Sequence, residues 1–169
     1  QVATALRFVL LTGISRFSKV SVFSELNNLD DISMQGDYAD LLGYTQPELE
    51  SYFAGYMQQL TAALGTTPAE VQARLAQQYN GYRFSEWAVQ VYNPFSILKA
   101  FKQRRLKDYW FETGTPTFLV ELLAARGYAL PEMENLQVSG SVFTTFDLER
   151  LIPEALLFQT GYLTIKDVS

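Results

Sequence analysis

Thr45-Gln46-Pro47-Glu48-Leu49-Glu50-Ser51-Tyr52-Phe53-Ala54-Gly55-Tyr56-Met57-Gln58-Gln59-Leu60-Thr61-Ala62-Ala63-Leu64 is the stretch that decides the fold class. A threonine followed three residues later by a glutamate fits a capping box, in which the hydroxyl takes one free backbone N–H and the carboxylate returns to cover another. Behind it, Leu49, Tyr52, Phe53, Tyr56, Met57, Leu60 and Leu64 recur at spacings of three and four. That spacing predicts an amphipathic helix of about five turns.

The same punctuation recurs downstream. Thr67-Pro68-Ala69-Glu70 is a second capping box, and Asn93-Pro94, Thr115-Pro116 and Ile152-Pro153 place proline at or near a first helical position. Val71 and Leu75 predict a helix closing near Gln78, and Phe95, Leu98 and Phe101 another. Phe118, Leu119, Leu122 and Leu123 predict a fourth that stops at Gly127. A last helix over Glu154 to Gln159 turns at Gly161 into Tyr162-Leu163-Thr164-Ile165, which has strand character and is expected to pair with Val138 to Phe146 as in the wing of a winged helix.

Upstream of the helices, Ala5-Leu6-Arg7-Phe8-Val9-Leu10-Leu11 ends in Thr12-Gly13. A short apolar run of this kind reads as a strand buried on both faces, the kind found in parallel sheets. A single strand of this kind cannot stand alone, so either its neighbours are missing from this chain or the run is not a strand. Residues 15–33 read as a loop with a short extended piece at Val20 and Val22.

Composition narrows the chemistry. The 169 residues carry 13 Lys plus Arg against 18 Asp plus Glu, a net charge of −5, and neither cysteine nor histidine. Zinc fingers, Cys/His metal cages, Ser–His–Asp or Cys–His catalysis and disulfide frameworks are thereby excluded. Charged residues make up 18% while Phe and Tyr number 12 and 10, which suggests an apolar surface that faces a partner. No apolar run is long enough to span a membrane and no signal peptide opens the chain, so a cytoplasmic location is expected.

Several motifs carry candidate chemistry. Gly13 to Val20 is a near miss for the phosphate-binding loop, because Ser18 stands where the second glycine belongs and Val20 where the hydroxyl after Lys19 belongs. Both are needed to wrap a phosphate and ligate magnesium, so this is not such a loop. Polar residues just past a parallel strand nonetheless sit where open α/β sheets bind ligands, which makes Thr12, Ser15, Arg16 and Lys19 candidates to face a nucleotide phosphate. Asp30 and Asp31 are adjacent and diverge on a helix or strand, a poor metal pair. Lys99, Lys102, Arg104, Arg105 and Lys107 cluster at a helix end, where the helix dipole explains most of the preference and a nucleic-acid contact is the weaker alternative. The aromatic clusters Tyr79 to Phe84 and Tyr109 to Phe111 fit packing between helices better than stacking on bases. Neither Glu-x-Lys nor Asp-x-Lys occurs, so no metal-nuclease centre lies in these residues.

Taken in order, Leu11 to Leu29, Tyr79 to Phe84, Tyr92 to Ser96, Tyr109 to Leu119 and Gln159 to Ile165 resemble blocks of the AAA-ATPase-like family of predicted bacterial ATPases. Members of that family carry an N-terminal phosphate-binding loop, an acidic magnesium-binding strand and often a C-terminal PD-(D/E)XK nuclease-like domain, none of which is in this sequence. The resemblance implies a mainly α chain with a few short strands. Residues 1–40 would be the end of a P-loop α/β ATPase core and residues 41–169 a helical lid with a winged-helix-like end. It also implies Thr12 and Arg16 near a γ-phosphate, and Gly114-Thr115-Pro116 as a nucleotide-proximal turn. Gly114 and Pro116 are the carried-over positions.

Two functional expectations follow. In the first, the chain is the C-terminal portion of an ATPase-like protein that uses ATP and magnesium to regulate a linked domain, its partners being the missing core and a nuclease-like domain. It is inactive alone, because the phosphate cradle that supplies most of the binding energy is absent. In the second, it is a non-enzymatic helical module that binds protein or nucleic acid.

Overall fold

The computed structural model describes residues 7–13, 30–109, 121, 124, 136–139 and 153–166. The chain divides into two compact units, one of residues 1–29 with 135–163 and one of residues 30–134 with 164–169. Its regular structure is almost wholly helical, as the capping and spacing patterns predict.

The larger unit begins with a 3-10 turn, Gly36–Tyr38, followed by α1 (Gln46–Tyr52), α2 (Ala54–Leu64), α3 (Pro68–Tyr79) and α4 (Pro94–Gln103). Each start obeys local chemistry. At α1 the Glu48 carboxylate accepts both the Thr45 backbone N–H, at 2.9 Å, and the Thr45 hydroxyl, at 2.8 Å. At α3 the Thr67 hydroxyl oxygen accepts the Glu70 N–H at 3.2 Å, and at α4 the Asn93 side-chain oxygen accepts the Ser96 N–H at 2.9 Å. The box expected at Thr67 closes on one side only. The Glu70 carboxylate is occupied instead by the Thr66 hydroxyl and the Arg74 guanidinium one turn on.

The single helix predicted over 45–64 is two helices. The chain breaks at Phe53, whose backbone sits at φ −111°, ψ 15°. Its ring is drawn into the core, 5.5 Å from the Phe101 ring and 5.0 Å from Tyr44. Hydrogen bonds from Phe53 N–H to Leu49 O and from Met57 N–H to Phe53 O carry the chain through the bend. Of the predicted stripe, Leu49 and Leu60 are buried, whereas Tyr52 and Tyr56 face solvent.

Helix α2 packs on α3 and α4, and α3 on α4. Leu49, Leu60, Val71, Leu75, Ile97, Ala100 and Phe101 form their shared core, together with Tyr79, Tyr92 and Tyr109. Between α3 and α4 the chain makes an excursion held by two antiparallel bridges, Tyr44 with Tyr92 and Tyr82 with Val91. Gly43 lies so close to Val91 that a Cβ there would fall 2.3 Å from a Val91 methyl. The far end of the chain returns to this belt. The Thr164 hydroxyl accepts the Arg83 N–H at 2.8 Å, and Arg83 Nη1 donates to the Lys166 carbonyl at 3.0 Å.

In the smaller unit, α5 (Pro153–Gln159) buries Ala155, Leu156, Leu157 and Phe158. It ends at Gly161, whose φ of 81° is the left-handed conformation that glycine adopts without strain. Tyr162 N–H then bonds to Leu157 O at 2.7 Å.

Three expectations meet a different outcome. Residues 7–11 of the predicted strand are irregular and pair with no strand among the described residues. Residues 162–165 form no strand either: the Tyr162 and Leu163 N–H groups both bond to Leu157 O and close the end of α5. Residues 136–139 are irregular, and the remainder of the expected Val138 to Phe146 strand lies outside the described residues. Of the helix expected at Phe118 to Gly127, Glu121 and Ala124 are described, and both are helical.

Candidate functional site

The nucleotide-facing residues expected from the sequence are mostly beyond the described part of the chain. Arg16, Lys19, Gly114 and Pro116 all lie there, as does Ser15. Thr12 is described, exposed and in an irregular segment. Just before it, Phe8, Val9, Leu10 and Leu11 are 78%, 51%, 55% and 52% exposed. A strand buried on both faces would hide all four.

Nothing described fits magnesium. No group of three or more carboxylates that could hold a metal ion occurs among the described residues. Asp30 accepts a bond from the Gln35 side chain at 3.1 Å, and Asp31 accepts the Ser33 N–H at 3.1 Å, so the pair shapes a turn.

The aromatic clusters separate by role. Tyr79 and Tyr109 are buried with ring centroids 6.3 Å apart, and Tyr82 meets Phe84 edge-on at 4.7 Å. Burial pushes the Tyr82 hydroxyl up to about 12, so it stays protonated at neutral pH. The Tyr79 hydroxyl donates to the Lys107 carbonyl at 2.7 Å and accepts the Lys107 N–H at 3.0 Å. Burial is also the main cause raising the Tyr79 pKa. These rings are architecture, in keeping with their reading as inter-helix packing. Trp110 and Phe111 lie outside the described residues.

The exposed rings are others. Tyr56 is 53% exposed, stacked on Phe101 with centroids 5.8 Å apart and planes at 27°. Tyr52, one turn earlier, is 73% exposed. At the end of α4, Lys102, Arg104, Arg105 and Lys107 all face solvent. Arg104 Nη2 donates to Gln59 Oε1 on α2 at 3.1 Å, which joins the basic end to the tyrosine side of α2. The spacing pattern treats Tyr52 and Tyr56 as core. The signal that distinguishes them is tyrosine where leucine would bury better, since a phenol accepts a wet edge.

A concavity of about 520 Å³ opens between α1, α2 and α3 over Leu49, Ala54, Met57 and Pro68. Glu50 sits on its rim, accepting from Gln46 and Gln72 side chains at 2.7 Å each. Among the described residues no helix is long and apolar enough to cross a membrane.

In sequence the chain is 44% identical over 162 residues to a protein of Azotobacter chroococcum mcd 1 described as an uncharacterised protein in the vnfD 5′ region. The similarity takes in 96% of this chain but spans 29% of that relative's length. No family model matches the chain, and no solved structure matches it.

Proposed function

We propose that the chain is the helical, lid-side part of a longer AAA-ATPase-like protein, in which ATP and magnesium bound mainly by another part regulate a linked domain. Residues 1–40 then contribute the edge of the ATPase core and 41–169 the lid. The observation that carries this reading is the solvent-exposed run from Phe8 to Leu11. Fully burying one exposed side chain of this kind is worth about 1.5–3 kcal/mol, so one mostly exposed and three half-exposed side chains in a row favour a surface that would cover them. The ordered blocks that resemble the family support the same reading. So does a relative more than three times as long, as its 29% coverage implies.

Calorimetric titration of ATP with magnesium into the full-length parent tests it. Binding is expected in the parent and absent in the 169-residue chain. Thr12→Ala and Arg16→Ala in the parent should weaken it. A parent that binds no ATP would remove this reading in favour of a helical module that binds protein or nucleic acid without nucleotide.

A further inference from the structure

Five of the chain's 13 cationic side chains fall in the nine residues 99–107, although the chain as a whole carries −5. Of these, Lys102, Arg105 and Lys107 pair with no carboxylate among the described residues, and Arg104 is held by the neutral Gln59 amide. The helix dipole favours a cation in the last turn, which accounts for Lys102 but not for three more beyond the helix end.

Arg104 adds a second, independent observation. It is the C-terminal cap of α4 at φ 52°, ψ 40°, the left-handed conformation, and the one non-glycine residue with positive φ among those described. Helix α2 ends in the same conformation at Gly65, with φ 63°. A side chain at such a position is a stability cost that glycine would avoid. Strain of this kind is retained where the side chain has work to do.

What lies beside the charges indicates the partner. Tyr56 offers a half-exposed ring face braced on Phe101, and Tyr52, four residues earlier in sequence and across the bend at Phe53, is 73% exposed. A cationic edge next to aromatic platforms matches the way single strands are held, with phosphates on the charges and bases on the rings. An acidic peptide would use the charges and leave the rings idle.

We propose that the end of α4 and the adjoining tyrosine side of α1 and α2 form a binding site for single-stranded nucleic acid, with Lys102, Arg104, Arg105 and Lys107 on the backbone and Tyr52 and Tyr56 under the bases. The site requires neither ATP nor any other part of a longer protein, so its test is separate from that of the ATPase-like reading.

The 169-residue chain is titrated against a fluorescent oligothymidylate, a duplex of equal length and polyglutamate, across a salt series without nucleotide. The single strand should bind most tightly, with log affinity falling against log salt at a slope of about −2 to −3 for three or four neutralised phosphates. Tyr52→Ala should weaken binding about ten-fold, since each stacked base contributes on this scale. Arg104→Gly should weaken it several-fold while raising Tm by about 2–4 °C, a separation of binding from folding that a purely structural arginine would not give. The proposal is overturned if the single strand does not bind at low salt, if polyglutamate or duplex binds as tightly, or if Tyr52→Ala and Arg104→Gly leave the affinity unchanged.

Discussion

At the scale of single residues, the Thr45 and Glu48 pair shows how much local chemistry can be read from four letters. The carboxylate accepts the Thr45 N–H and hydroxyl, and these bonds, the backbone one foremost, hold its pKa below the ordinary 4.5. Glu70 is also lowered, first by the Thr66 hydroxyl and then by the charge of Arg74. Both groups bind protons less readily folded than unfolded. Their stabilisation is therefore complete above the unfolded carboxylate's pKa and is lost as pH falls through the depressed folded values. Glu48→Gln should flatten the acid limb of a Tm-against-pH curve by lowering the neutral plateau toward the low-pH value, because the amide keeps an acceptor oxygen but not the charge. Thr45→Ala should cost about 1 kcal/mol at neutral pH, measured by denaturant unfolding. The cap at Thr67 was less legible, because the competing demand of Thr66 and Arg74 on Glu70 depends on rotamers that spacing does not reveal.

Among the elements, helices were legible and their joints were not. Starts at Thr45, Thr67, Asn93 and Pro153 follow from caps and prolines, which act within four residues. The bend at Phe53 follows from rings brought in by Tyr44 and Phe101, one of them 48 positions away in sequence, and no periodicity encodes that. The belt between α3 and α4 is likewise long-range. Its tightest point is Gly43 against the buried Val91, next to the Tyr44 and Tyr92 bridge. Gly43→Ala should force that bridge apart and destabilise the larger unit by about 1–3 kcal/mol, the usual scale of overpacking. A reduced urea midpoint with an unchanged m-value is the expected signature.

For the whole molecule, the sequence conveyed a mainly helical chain with apolar surface left over, and the exposed run at Phe8 to Leu11 is one such surface. Its lack of strand structure was not legible, because a buried strand and an unpaired apolar segment share the same letters. The pairing of Gly81 and Arg83 with Thr164 is equally hidden, because it joins positions more than 80 residues apart. Of the six nucleotide-facing candidates, Thr12 alone falls among the described residues, so the candidate site rests on surface rings and charges that spacing assigned to the core and to the helix dipole. Leu10→Lys in the 169-residue chain should leave Tm within about 1 °C, as expected for an exposed position. It should also reduce self-association in size-exclusion chromatography, because it breaks a contiguous apolar strip.

The Tyr79 hydroxyl grips both the amide and the carbonyl of Lys107, fastening two points 28 residues apart. The tail of α4 therefore cannot fray by itself, since peeling it away also strips the last side chain of α3. In deuterium exchange the Lys107 amide should be protected to nearly the same degree as the buried helices, and Tyr79→Phe should release it.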